Sequence, residues 1–156
     1  MMFNDKETFL HDTFFHVLRS VEPSTAPLWG KMNLPQMVEH LSDSVRIANG
    51  KIRHESIITP EERLPLMLGF LQSDKEFKPE TKNAMMGETP LPVRHASLEE
   101  AVMELRTEMD DFKAYFMAHP GGRVRNPIFG DLDHTAWTQL LFKHFLHHLK
   151  QFGAVR

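Results

Sequence analysis

The chain has 156 residues, 41% of them hydrophobic and 25% charged, with a formal net charge of −3. That make-up fits one folded domain over residues 1–156, with enough apolar side chains to bury a core without covalent staples. Acidic and basic residues are interleaved, which argues against nucleic acid as a partner, because neutralising phosphates needs a basic face.

No cysteine is present, so disulfides, iron–sulfur clusters and thiolate zinc sites are excluded. Any thiol in the chemistry must therefore arrive on a ligand. The start of the chain lacks the long apolar stretch of a secretory signal, and the longest apolar patch, residues 64–71, is too short to span a bilayer. No membrane association and a cytoplasmic location are the expectations. Ten histidines against a single tyrosine is the compositional oddity, and it points towards metal.

Four segments carry helical periodicity. The first covers residues 6–21, with Leu10, Phe14, Val17 and Val21 at helical spacing, and a proline-bearing stretch over 22–32 breaks it. The second starts at Asn33, an N-cap with Gln36 three residues on and Pro35 in the first turn. Leu34, Met37, Leu41, Val45 and Ala48 form its apolar stripe, and Gly50 is its stop.

Thr59-Pro60-Glu61-Glu62 then imitates a capping box, but Pro65 follows too soon for a straight helix, so a short, kinked helix to Leu71 is expected. Residues 72–96 have no period, and Pro79, Gly87, Pro90 and Pro92 forbid a regular element. Loops this long are uncommon unless functional or disordered. Phe77, Met85, Met86, Leu91 and Val93 give this one apolar anchors, which predicts that it drapes over the helices.

The third helix begins at Ser97, with Glu100 placed to reach back to the cap. Leu98, Val102, Leu105, Met109, Phe112 and Phe116 form its stripe, and His119-Pro120-Gly121-Gly122 ends it. The fourth runs from about Asp133 to Phe152, with Trp137, Leu141, Phe145, Leu149 and Phe152 on its apolar side and Gly153 as its stop. The fold class is thus all-α, four helices with a long irregular connection between the second and third.

The informative stretch is His144-Phe145-Leu146-His147-His148-Leu149. Residues four apart lie one turn apart on the same helix face, about 6 Å along the axis. Two such imidazoles can converge on one ion at roughly 2.0–2.1 Å, the usual zinc–nitrogen distance. Advancing about 100° per residue from Trp137 puts Leu141, His144, His148 and Phe152 in one inward sector and His147 to the side. Two neutral imidazoles buried without partners would be costly, since each carries a donor and an acceptor. A metal satisfies both at once; bonds to backbone or water are the alternative. His40 offers a third ligand from the second helix, at the edge of its stripe, and periodicity alone does not place it in the site. Three protein ligands would leave positions open for water or substrate, the pattern of catalytic rather than structural sites.

The tail Asn126-Pro127-x-Phe129-Gly130-x-Leu132, then Trp137, then His144-x-x-His147-His148-Leu149-x-Gln151-Phe152-Gly153, resembles the DinB/YfiT-like metalloenzymes, in particular an uncharacterised branch. Trp29-Gly30-Lys31-Met32 leading to Gln36-Met37-x-x-His40-Leu41 is similar to the same branch, whereas residues 50–96 carry little of the likeness. The resemblance implies an antiparallel four-helix bundle with a nickel or zinc ion on His40, His144 and His148. Better-known members of that group use the metal to activate a low-molecular-weight thiol such as mycothiol, bacillithiol or glutathione, for transfer or isomerisation. Many of them carry His-Arg-x-Gln at the end of the motif. Here it reads His148-Leu149-Lys150-Gln151, so a role resting on the arginine has no carrier.

Other residues admit two readings each. His147 is a flanking or surface ring, although an i, i+3 pair with His144 is geometrically allowed. His134, Asp131 and Asp133 either accept or support a ligand's free N–H, or face solvent at a helix start. Arg123 and Arg125 either hold an anionic cosubstrate group or belong to a solvated loop. Glu39 adjoins His40 but points about 100° away along the helix, so no general base is assigned and the catalytic residues are unknown. His11, His16, His54, His95 and His119 show no usable spacing.

Two functions follow: a metal-dependent transferase or hydrolase acting on a small molecule, or a binding module without chemistry of its own. A homodimer is compatible with such a bundle, and no residue demands it.

Overall fold

The computed structural model describes residues 3–79 and 89–156. The first helical stretch, here α1, is continuous but not uniform: Phe3–Thr8 is α-helical, Phe9–Thr13 forms a π turn, and Phe14–Arg19 is α-helical again. The π turn puts one extra residue into the repeat. Beyond Leu10 and Phe14 the buried stripe therefore moves onto Phe15 and Leu18, and the expected Val17 and Val21 are only half-buried.

Helix α2, Leu34–Ala48, starts with the reciprocal cap its sequence encodes. Asn33 Oδ1 accepts from the Gln36 N–H and Gln36 Oε1 accepts from the Asn33 N–H, both at 2.9 Å. Its five stripe residues are all fully buried. Gly50 ends it with a φ of +82°, a left-handed conformation that suits glycine.

A 3₁₀ turn at Glu61–Arg63 leads into α3, Leu64–Gln72. Pro65 sits in the first turn of α3, where its missing N–H leaves no helical bond unmade. Thr59 does not cap this helix; its hydroxyl donates to the Ile128 carbonyl at 2.7 Å.

Helix α4, Leu98–Ala118, is capped by Ser97 Oγ, which accepts from the Glu100 N–H at 3.2 Å. The Glu100 carboxylate reaches one residue further back than expected, to the Ala96 N–H. Two short antiparallel strands follow, β1 (Val124–Asn126) and β2 (Gly130–Leu132), with Arg125 opposite Asp131. Asn126 Oδ1 closes their turn by accepting from the Ile128 and Phe129 N–H groups. The described residues are mostly helical, roughly consistent with the all-α expectation, and this small sheet is the addition to it. Helix α5, His134–Gln151, is capped by Asp133, whose Oδ1 accepts from the Ala136 N–H.

Paired contacts give the helix directions. Lys6 meets Gln139, Phe9 meets Phe142 and Phe14 meets Phe145, so α1 and α5 run the same way. Glu104 shares Arg94 with Asp43, Glu108 meets Arg46 and Asp111 meets Lys51, so α2 and α4 also run parallel. Arg106 lies over Phe15 while His134 joins Phe116 to Glu7, which makes α1 and α4 antiparallel. Parallel neighbours cannot be joined by a tight turn, so the connection from α2 to α4 must return the length of a helix. The long middle segment, with α3 in it, does that.

The expected apolar draping of 72–96 holds in part. Phe77 packs against the core, but Leu91 is 74% and Val93 45% exposed, and Met85 and Met86 lie outside the described residues. Polar bonds tether residues 91–95 instead: Gln36 Nε2 donates to the Leu91 carbonyl, and the buried Glu39 carboxylate accepts from the Arg94 and His95 N–H groups at 2.8–3.1 Å. Among the described residues no helix is long and apolar enough to cross a membrane.

Glu39→Ala removes the one side chain among the described residues that pairs with those two N–H groups. It is expected to destabilise the chain by about 1.5–3 kcal/mol, the usual worth of hydrogen bonds to a charged group. A shift of the urea midpoint measures it, and an unchanged midpoint would show that the tether contributes nothing.

Candidate metal centre

Helix α5 carries His144 and His148 one turn apart, and α2 brings His40 to meet them. The His144 Nε2 lies 2.9 Å from the His40 Nε2 and 3.0 Å from the His148 Nε2. Ring centroids are 4.7–4.9 Å apart, with the ring planes inclined by 58–84°. His148 is buried and the other two rings are half-buried. Among the described residues this is the one group of three or more such side chains placed to hold a metal ion.

Proton counting shows why a cation suits it. A carbonyl can only accept, so the Gln151 Nε2, 3.0 Å from the Trp29 carbonyl, must donate to it. Gln151 Oε1 therefore faces the His148 Nδ1 at 2.7 Å, and that nitrogen holds the proton. The His148 Nε2 is then a bare lone pair aimed at His144. A protonated imidazole nitrogen has no lone pair left to accept with, so the His144 Nε2 either donates to one neighbour or accepts from His40, and in every neutral arrangement one of the two contacts between nitrogens has no hydrogen bond. Nitrogens bound to a common ion at about 2.0–2.1 Å lie about 3 Å apart, the spacing of two of the three pairs here, and all three nitrogens lie within 4.8 Å of one another. The residues fit a divalent ion.

The surroundings keep the rings neutral, the form in which imidazole ligates. Burial, followed by the charge of His147, pushes His40 down to about 4. His144 is held well below the ordinary histidine value by burial and by His148, His40 and His147. His148 is lowered by burial and His40, against an opposing pull from its Gln151 bond.

His147 stays outside the cluster. Its half-buried ring packs on Trp29 at 5.4 Å, Phe77 at 6.0 Å and His148 at 5.0 Å. Beyond it opens a cleft of about 590 Å³ lined by Trp29, Phe77, Phe142 and several lysines, a volume typical of small-molecule sites.

The remaining candidates are engaged elsewhere. Arg125 pairs with Asp131 through two bonds at 2.7 and 3.1 Å and also donates to the Glu55 carbonyl. Arg123 reaches the Asp131 carbonyl. Asp133 is a helix cap, and His134 lies between Glu7, Phe112 and Phe116. Glu39 is committed to the 94–95 backbone. The sequence reading passed over Gln151 as a partner for His148, although its i, i+3 spacing was a usable signal. It also passed over Lys143, which is buried, donates to the Phe70 and Lys75 carbonyls at 2.7 Å and covers the Phe70 ring.

A family model described as "Protein of unknown function (DUF1569)" matches residues 8–154. The chain belongs to the DUF1569 family. The match takes in all three histidines of this DUF1569 chain, Gln151 and the Trp29-Gly30 segment. No curated protein and no solved structure matches it.

The depressed histidines predict a pH dependence. Each ring titrates lower in the folded chain than at the ordinary value of about 6.5, so as pH falls the unfolded chain takes up protons first. Stability of the metal-free protein therefore drops as pH is lowered from about 6.5 towards 4, the value of His40. Urea midpoints between pH 7 and 5 in chelator should show this slope, and a His40→Ala/His144→Ala/His148→Ala variant should flatten it. An equal slope in the variant would remove these rings as its cause.

Proposed function

We propose that this DUF1569 chain is a metal-dependent enzyme in which His40, His144 and His148 hold one divalent ion, nickel or zinc. The observation that carries this is the convergence of three ring nitrogens whose two short contacts cannot both be hydrogen bonds while the rings are neutral. The four long helices are read here as a DinB/YfiT-like four-helix bundle, and residues 1–156 as one cytoplasmic domain. When bound, the ion would supply Lewis acidity, lowering the pKa of a water or thiol or polarising a carbonyl.

The chain's own residues do the rest. Gln151 orients the His148 ring, burial keeps all three imidazoles unprotonated near neutral pH, and His147 and Phe77, which pack beside the cluster, also line the adjoining cleft. A small-molecule substrate is assigned to that cleft. Thiol transfer or isomerisation ranks ahead of hydrolysis, on the resemblance of the motifs to thiol-using metalloenzymes. Leu149, where many of those proteins carry arginine, is fully buried in the core, so this chain offers no cation at that position.

One observation favours a second reading, a binding module without chemistry. The Glu39 carboxylate is occupied, and among the described residues no carboxylate joins the three nitrogens to act as a base.

Elemental analysis of the purified protein should find about one ion per chain, as expected for a three-ligand site, and close to none in His144→Ala and His148→Ala. Equal content in all three would end the proposal. Given the loaded protein, low-molecular-weight thiols and a panel of electrophiles and esters, metal-dependent turnover separates enzyme from module. Tight binding without conversion would establish the module.

A further inference from the structure

We propose that Gln151 is the positioning residue that makes His148 a ligand. It fixes the tautomer of that ring, and it does so from a seat that exists because residue 30 is glycine. The inference rests on the metal reading above and adds to it the group that sets one ligand's protonation.

A neutral imidazole can carry its proton on either nitrogen, and a ring with the proton on Nε2 has no lone pair to offer there. The choice for His148 is made by Gln151, and the choice for Gln151 is made by the backbone. The Trp29 carbonyl accepts from the Gln151 Nε2 at 3.0 Å, which turns Oε1 towards the His148 Nδ1 at 2.7 Å. Flipping the amide would set a carbonyl against a carbonyl at one end. Gln151 is 3% exposed, so water does not compete for either bond. The main chain of the same residue is tied to the same segment, its carbonyl accepting from the Leu28 N–H at 2.7 Å.

Gly30 makes the approach possible. A Cβ there would stand 3.0 Å from the Gln151 Nε2, and its φ of +76° is strained for any residue with a side chain. The segment bearing the Trp29 carbonyl is itself held in place, because the Trp29 ring packs on His147. Trp29-Gly30, Gln151 and His148 thus form one relay from an irregular segment to a ring nitrogen.

Two measurements test it. In the metal-free protein, nitrogen NMR of the histidine rings should show His148 protonated on Nδ1, whether or not metal is ever added. Gln151→Leu should release it to a mixture of tautomers, whereas Gln151→Glu, which as the neutral acid keeps an acceptor for Nδ1–H and a donor for the Trp29 carbonyl, should preserve it. With zinc or nickel in competition with a chromophoric chelator, Gln151→Leu should lose about 10–100-fold in affinity, the usual effect of removing a group that orients a ligand. Gln151→Glu should retain most of the affinity, and Gly30→Ala should lose part of it.

Unchanged tautomer and affinity within about twofold in Gln151→Leu would overturn the inference. Should Gln151→Leu fail to fold, Gly30→Ala and Gln151→Glu carry the same comparison, and wild-type affinity in Gly30→Ala would count against it. A wild-type protein that takes up no metal defeats the metal reading instead, while the ring NMR still decides the tautomer.

Discussion

Three imidazole nitrogens within 4.8 Å of one another, two of the pairs at hydrogen-bond distance and no carboxylate joining them among the described residues, set the constraint around which this end of the molecule is built. Polar atoms cost free energy inside a protein unless each finds a partner. Helix α5 divides accordingly. Trp137, Leu141 and Phe145 fill its inner face with apolar bulk, and the next turns spend comparable positions on His144, His148 and Gln151. Leucine at those positions would bury more apolar area with no such demand, so packing alone does not explain their polarity.

The same logic explains how the irregular segments are fixed. Three buried polar side chains on α2 and α5 reach out to main-chain groups of the connections: Glu39 to residues 94–95, Gln151 to Trp29, and Lys143 to residues 70 and 75. Each satisfies backbone groups that a loop crossing a helix surface would otherwise leave unpaired. Apolar anchors alone do not place such a segment, because they specify contact without register. A carboxylate on two consecutive N–H groups, or an ammonium on two carbonyls, specifies both.

How much of this was legible in the sequence follows the range of the interactions. The caps at Asn33 and Ser97 are decided within four residues, and they form as the sequence implies, apart from the Glu100 side chain. The pairing of His144 with His148 is equally local. His40 is not, since its edge position on α2 acquires meaning only from how that helix lies on α5. The π turn in α1 shifted the buried stripe by a residue where a regular period was assumed, and strands of three residues are too short for alternation to register. Glu39 reads in the sequence only as a neighbour of His40 turned about 100° away, because its partners are backbone groups more than fifty residues away.

Helix direction links these observations to chemistry. Because α1 runs with α5 and α2 with α4, the chain needs a long return between α2 and α4, and that return passes beside His40. Residues 94–95 use up the Glu39 carboxylate there, one residue from a candidate ligand. A carboxylate among the ligands would cancel part of the charge of a divalent ion, and neutral imidazoles cancel none. In a partly buried setting, where charges interact more strongly than in water, an uncancelled cation favours an anionic group from outside. By engaging Glu39 elsewhere, the fold would leave the role of anion to an incoming ligand wherever the three histidines hold the proposed ion.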